Sequence, residues 1–233
     1  MANIIVLIIF YIVILLYSVI IHEVSHGVMA LWLGDNTAKY AGRLNLNPIK
    51  HIDPFGSIVV PIIMFLSVGW AFGWAKPVPY NPYNLRNQKW GPALVGLAGP
   101  LSNIILALVF AIVAYFISLP MALKKSIAEN ALNPAVLSTM LSGSIGAIFF
   151  ALITVIIVFN AILAFFNLIP IPPLDGSKLL FSVFSVRIET MAMLEQFGFI
   201  ILLFFIILFS GPLGIFLNFI INIFLGLAGV KLS

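Results

Sequence analysis

The sequence predicts an all-α polytopic membrane protein. About 4–6 membrane segments are expected, with a re-entrant segment near 55–75 and a small β element near 40–50. Three observations predict this class. Hydrophobic residues make up 63% of the chain and charged residues only 8%, with a mean hydropathy of +1.21. A soluble domain is about 45–50% apolar and about a quarter charged, so these few charges cannot cover a water-facing surface. Long apolar runs recur at Ile4–Ile21, Ile58–Trp74, Ala93–Leu119, Ile145–Ile169 and Phe197–Val230, against the roughly 20 apolar residues a span needs. Polar and proline-rich residues are gathered between the runs.

Each element has its own reason. Ile4–Ile21 is read as a retained first span, because no charged n-region precedes it and no small-residue cleavage site follows. In the polar stretch Leu33–Pro54, Arg43-Leu44-Asn45-Leu46-Asn47 alternates polar and apolar, the pattern of a short strand. Asn47-Pro48, Asp53-Pro54, Pro77, Pro79 and Asn81-Pro82 favour turns and extended backbone. Ala93–Leu119 and Ile145–Ile169 are full spans. Pro120–Gly143 between them is shorter than the roughly 50 residues of a folded soluble domain. Phe197–Val230 would be about 51 Å long as one helix. Gly211-Pro212 is expected to break it, into a short hairpin or as one broken segment. The whole, 1–233, reads as a single membrane-embedded domain with a core over about 4–180 and C-terminal membrane segments over 197–230.

The formal net charge is +4, but the basic residues are scattered singly through the loops. That pattern fits topology signalling and argues against nucleic-acid binding. The chain has no cysteine, so disulfides and thiolate ligands are excluded, and any metal must be held by imidazole and carboxylate.

Charge inside an apolar run costs about 2.5–3.5 kcal/mol even on the gentler scale, so each instance needs a reason. The first run ends in His22-Glu23-Val24-Ser25-His26. His-Glu-x-x-His on a helix places both imidazoles on one face, one turn apart, able to share a metal. Glu23 lies one position along, placed to take a proton from a water beside that metal. Catalytic zinc usually takes three protein ligands. With no cysteine, the third is His51 or a carboxylate. Asp175 stands out among the carboxylates. It ends the stretch Asn167-Leu-Ile-Pro170-Ile-Pro-Pro173-Leu174-Asp175-Gly176, where proline breaks the helix and Gly176 permits a sharp turn. Irregular backbone at membrane depth is tolerated where it lines a cavity. The same residues also fit a plain Pro-Gly turn with a solvated Asp175.

Together these pieces resemble the site-2 protease family of intramembrane zinc metalloproteases, most closely its compact prokaryotic members without PDZ or CBS domains. The resemblance rests on His22-Glu23-x-x-His26 and on Asn167-x-x-Pro170-x-x-x-Leu174-Asp175-Gly176. Ala98-Gly99-Pro100-Leu101-Ser102-Asn103, His51-Ile52-Asp53-Pro54 and Gly73-Trp74-Ala75-Lys76-Pro77-Val78-Pro79 add to it. It covers roughly 20–180. The resemblance implies one Zn2+ per chain held by His22, His26 and Asp175, with Glu23 as general base. It also implies a membrane-protein substrate, cut in or near a transmembrane helix. Asn103 is implied as a catalytic residue that binds substrate backbone or the oxyanion; an interhelical hydrogen bond is the alternative. His51 is read as ordering its loop. Ser25, Asn47, Lys50 and His51 are expected near a path for water.

Topology follows from parity. His22 lies about 27 Å along the helix from Ile4, near the far end of a core about 30 Å thick. Asp175 follows Ile145–Ile169 at its far end. One metal requires both helices to run the same way, so one of the two runs between them cannot cross. Ile58–Trp74, with Pro61, Gly69 and Gly73, is the segment expected to be re-entrant. The positive-inside rule then puts the active-site face in the cytoplasm, at an inner membrane, with the N-terminus outside. Two rival readings remain: a metal transporter, which would have no need of Glu23, and an inactive scaffold, which would have no need of the intact motif.

Overall fold

The computed structural model describes residues 4–53, 76–141 and 144–230, together with Gly56, Val59, Ile62, Ile63 and Leu66. Four helices among them are long and apolar enough to cross a membrane: α1 (Ile4–Trp32), α2 (Gly91–Tyr115), α5 (Ile145–Asn167) and α7 (Ile188–Leu227). Shorter helices α3 (Met121–Glu129) and α4 (Pro134–Met140) fill the connection from α2 to α5, and α6 (Gly176–Val183) follows the proline-rich turn.

α1 stops where the backbone leaves helical space at Gly34, which has φ 108°. There Gly34 N–H donates to Leu31 O and Asp35 N–H to Ala30 O, the paired bonds of a glycine C-cap. α5 starts at Ser144, whose hydroxyl accepts from Ala147 N–H at 3.2 Å. α2 presents a small-residue face, with Ala107, Ala111 and Ala114 fully buried. That face lets the neighbouring backbones approach closely, the usual way apolar helices associate in lipid. Leu7 of α1 shares a core with these alanines and with Ala147, Phe150 and Ala151 of α5. At the other end Asn160 of α5 reaches Ser18 of α1 and Asn103 of α2. α1 and α5 therefore run the same way, with α2 antiparallel between them. This is the arrangement that a shared site at His22 and Asp175 requires. The re-entrant segment expected near 55–75 lies almost wholly outside the described residues.

Two expectations are corrected. Residues 40–50 form no strand. They follow a single helical turn, Thr37–Tyr40, and end in a 3-10 turn, Pro48–Lys50. The asparagines that gave the alternating pattern fold back on their own backbone. Asn45 Oδ1 accepts from Asn47 N–H, Asn47 Oδ1 from Ile49 N–H, and Asn45 Nδ2 donates to Gly42 O. Such local bonds compete with a β ladder. α7, in turn, is not a hairpin. It bends at Phe209 (φ −116°, ψ 18°), three residues before Pro212. Proline lacks the N–H and crowds the preceding turn, which kinks the helix without reversing it. Gly198 packs on Pro172 and Pro173 at the site end, while Phe224 and Leu225 join the core around Leu7 and Phe150 at the opposite end.

Candidate metal centre

His22 and His26 project from the last third of α1, one turn apart, their rings edge-to-face with centroids 4.7 Å apart. Asp175 arrives from the loop after α5. His22 Nε2 is 3.0 Å and His26 Nε2 3.2 Å from the same oxygen, Asp175 Oδ2. All three side chains are buried. Their donor atoms lie within 4.8 Å of one another, a spacing that one metal ion can bridge.

The turn that delivers Asp175 depends on glycine for a reason the sequence did not suggest. Gly176 has no left-handed φ; the chain doubles back so that its backbone lies against Leu168. A Cβ on Gly176 would stand 2.2 Å from Leu168 O. Asp175 heads α6 but makes no side-chain cap there, which leaves both its oxygens for other partners.

Both histidines are oriented from behind. His26 Nδ1 is 2.7 Å from Val95 O, which can only accept, so Nδ1 carries the proton and Nε2 presents its lone pair. Asn103 Nδ2 donates to Ser18 O (3.2 Å) and to Asn160 Oδ1 (2.6 Å). Its Oδ1 therefore faces His22 Nδ1 at 2.5 Å and accepts that proton. Asn160 is held in turn by Ser18 Oγ and Ile156 O. This is the second layer that metal-binding imidazoles ordinarily have. Asn103 is fully buried with both amide protons engaged, so in this arrangement it has none to offer an oxyanion. These bonds tie α1, α2 and α5 together at Asn103.

The donor set fits a zinc ion: two imidazole nitrogens and one carboxylate oxygen converging, each imidazole fixed in the tautomer that leaves Nε2 free. The facing helix leaves room for it. A Cβ on Gly99 would lie 2.5 Å from His26 Nε2 and 2.6 Å from His22 Nε2. The space beside the two donors exists because Gly99 has no side chain.

Glu23 lies beside the cluster, not in it. Its Oε2 accepts from Val78 N–H at 3.0 Å. The strap 76–78 is pinned by buried Arg43, which donates to Lys50 O and to Lys76 O (2.6 Å), and by Lys76 N–H on His51 O (2.9 Å). His51 itself is buried, with Nε2 2.8 Å from Asn45 O, so it orders its loop. Ser25 bonds Ile21 O, and Asn47 caps the Pro48–Lys50 turn. Asp35 anchors the rest of the loop: Thr37 Oγ1 and Asn84 Nδ2 donate to Oδ1, and Asn81 N–H to Oδ2. Burial alone would raise the Asp35 pKa; these donors bring it below the ordinary carboxylate value.

Sequence reasoning passed over one charged residue at the site. Lys178, in the first turn of α6, donates to Asp175 Oδ1 at 3.1 Å. Burial works against its charge, but Asp175 more than offsets this and raises its pKa above the ordinary lysine value. The signal was its spacing of three residues from Asp175.

The comparisons with known proteins show the family. The model of peptidase family M50 matches residues 10–210. The chain belongs to that family. It is the site-2 protease family that the two motifs resemble. A Bacillus subtilis relative named "Putative zinc metalloprotease YwhC" is 35% identical over 201 residues, covering 86% of this chain and 80% of the relative. A second family relative, "Putative zinc metalloprotease Rip2" of Mycolicibacterium smegmatis, is 32% identical over 92 residues, 40% of this chain and 34% of its own. No solved structure matches the chain. Membership of this membrane-protease family and the four long apolar helices together describe a multi-pass membrane protein.

Proposed function

We propose that this family M50 member is an intramembrane zinc endopeptidase, a single membrane-embedded domain that cuts membrane proteins in or near a transmembrane helix. His22, His26 and Asp175 hold one zinc ion, and Glu23 is the general base. The observation that carries the reading is the convergence of His22 Nε2, His26 Nε2 and Asp175 Oδ2 beside Glu23, at the end of an apolar helix.

A bound zinc ion supplies Lewis-acid polarisation of the scissile carbonyl and acidifies water towards a pKa of about 7. Val78 N–H holds Glu23 Oε2, leaving Oε1 to accept a proton from the attacking water and return it to the leaving amine. Asn103 and Val95 keep the histidines in register. The buried surroundings of the pair exclude bulk water, which strengthens each of these interactions. The substrate helix must unwind locally, because its peptide groups are otherwise internally bonded. The lipid bilayer is the common solvent of enzyme and substrate. By the positive-inside rule the site opens towards the cytoplasmic face of an inner membrane. A transporter reading gives Glu23 no task, and a scaffold reading gives none to the oriented tautomers.

The test is purified protein in liposomes with a single-span reporter. Cleavage that a chelator abolishes and stoichiometric zinc restores supports the proposal. Metal flux across the liposome without cleavage favours a transporter and overturns it.

A further inference from the structure

Asp175 divides its two oxygens between different partners. Oδ2 faces both histidines at 3.0 and 3.2 Å, while Oδ1 accepts from Lys178 Nζ at 3.1 Å. Lys178 is confined on three sides. Asp175 and Lys178 lie one helical turn apart, at i and i+3. The ammonium sits over the Tyr80 ring, 5.5 Å from its centroid, within cation–π range. Its stem runs along α2 at Gly96, where an added Cβ would lie 3.0 Å from Lys178 Cδ. A lysine enclosed in this way loses most of its rotamer freedom and holds its charge at one place. Carboxylates bind metals through one oxygen or two, and an uncommitted one can do either.

We propose that Lys178 is a positioning residue that holds Asp175 as a one-oxygen ligand, so that the ligand positions beyond the three side chains stay open for water and substrate. The proposal rests on the zinc-centre reading above. It explains why a cation lies next to a metal ligand, where simple charge addition would weaken the site: the lysine limits how much of the site Asp175 occupies. Catalytic zinc sites keep such an open position, whereas structural sites are closed. Removing the ammonium frees Oδ1 to turn towards the metal, and coordination number rises.

The experiment uses the full chain, purified without metal and loaded with Co2+ as a spectroscopic substitute for zinc. The wild type is expected to bind one Co2+ per chain with the intense visible absorption of four-coordinate cobalt. Lys178→Met is expected to keep one Co2+ per chain while that absorption weakens towards the five-coordinate form. With zinc, its kcat should fall about 10–100-fold, and Lys178→Arg should recover most of the spectrum and of kcat. Lys178→Gln is a second neutral variant, read by the same outcomes where Lys178→Met does not yield folded protein. A neutral variant with the wild-type spectrum overturns the proposal, as does one that loses stoichiometric metal. If the wild type binds no Co2+ or Zn2+ at all, the underlying zinc-centre reading fails instead, and the two failures are distinguishable.

Discussion

Replacing Gly99 by alanine adds one methyl group against both metal-centre histidines. Its Cβ would lie 2.5 Å from both Cε1 and Nε2 of His26 and 2.6 Å from His22 Nε2, whereas ordinary contact begins at 3.4 Å. The rings or α2 must therefore yield by about 0.9 Å, several times the roughly 0.2 Å within which metal–ligand distances are held. A misplacement of about 1 Å in an active site can cost about 100-fold in rate. Helix propensity acts the other way, since alanine is favoured over glycine by about 1 kcal/mol in a helix interior. Lost function would therefore not reflect a weaker α2. Gly99→Ala is expected to bind zinc at least 10-fold more weakly and to cleave a single-span reporter about 100-fold more slowly. Zinc content by competition with a chromogenic chelator and cleavage by gel assay are the readouts. Gly214→Ala is the control, because nothing lies within 4 Å of its Cβ position. Wild-type zinc affinity and turnover in Gly99→Ala would refute the placement of the metal between α1 and α2.

Asn103→Ala should weaken zinc binding about 10–100-fold by releasing His22 Nδ1; a fall in kcat with unchanged zinc affinity would instead support the oxyanion role expected from the sequence. Asp35→Asn sets an amide NH2 against backbone donors and should destabilise the fold by about 1–3 kcal/mol at neutral pH. The Asp35 pKa is depressed in the folded state, so this contribution is present above the unfolded value near 3.9 and is lost as pH falls through the folded one. The gap in thermal midpoint between wild type and variant should close in acid; a gap that widens there contradicts the assignment. Native cysteines are absent, so single cysteines at Tyr40, Arg86 and Leu132, all exposed, report topology cleanly. Positions 40 and 86 should label from the cytoplasm and position 132 from outside, and labelling of 40 and 86 from opposite faces would contradict the helix directions described here.

Much of the site was legible because its chemistry is local. His22, Glu23 and His26 are one helical turn, and their spacing alone puts two imidazoles on one face. Asp175 became legible through the ligand count and the Asn167-to-Gly176 motif, since its own surroundings read equally as a turn. What sequence could not supply is what crosses between helices. Val95 contributes a backbone carbonyl, which leaves no trace in residue type. Asn103 was found, but whether its amide faces a substrate or His22 depends on how α1 and α2 pack. Lys178 looked like one more loop charge until α6 turned it onto Asp175. The alternation at 43–47 failed because asparagine side chains satisfied the backbone locally. Gly211-Pro212 marked a real bend in α7, but proline fixes a kink and not its angle.

The central claim is that Glu23 performs chemistry beside a zinc held by other residues. Glu23→Gln keeps the shape and the hydrogen bond to Val78 N–H but removes the base. The direct measurement pairs zinc stoichiometry with single-turnover cleavage of a transmembrane reporter by purified Glu23→Gln in liposomes. The account predicts one zinc per chain, as in the wild type, with cleavage reduced by at least about 100-fold. Wild-type cleavage by this variant would contradict it.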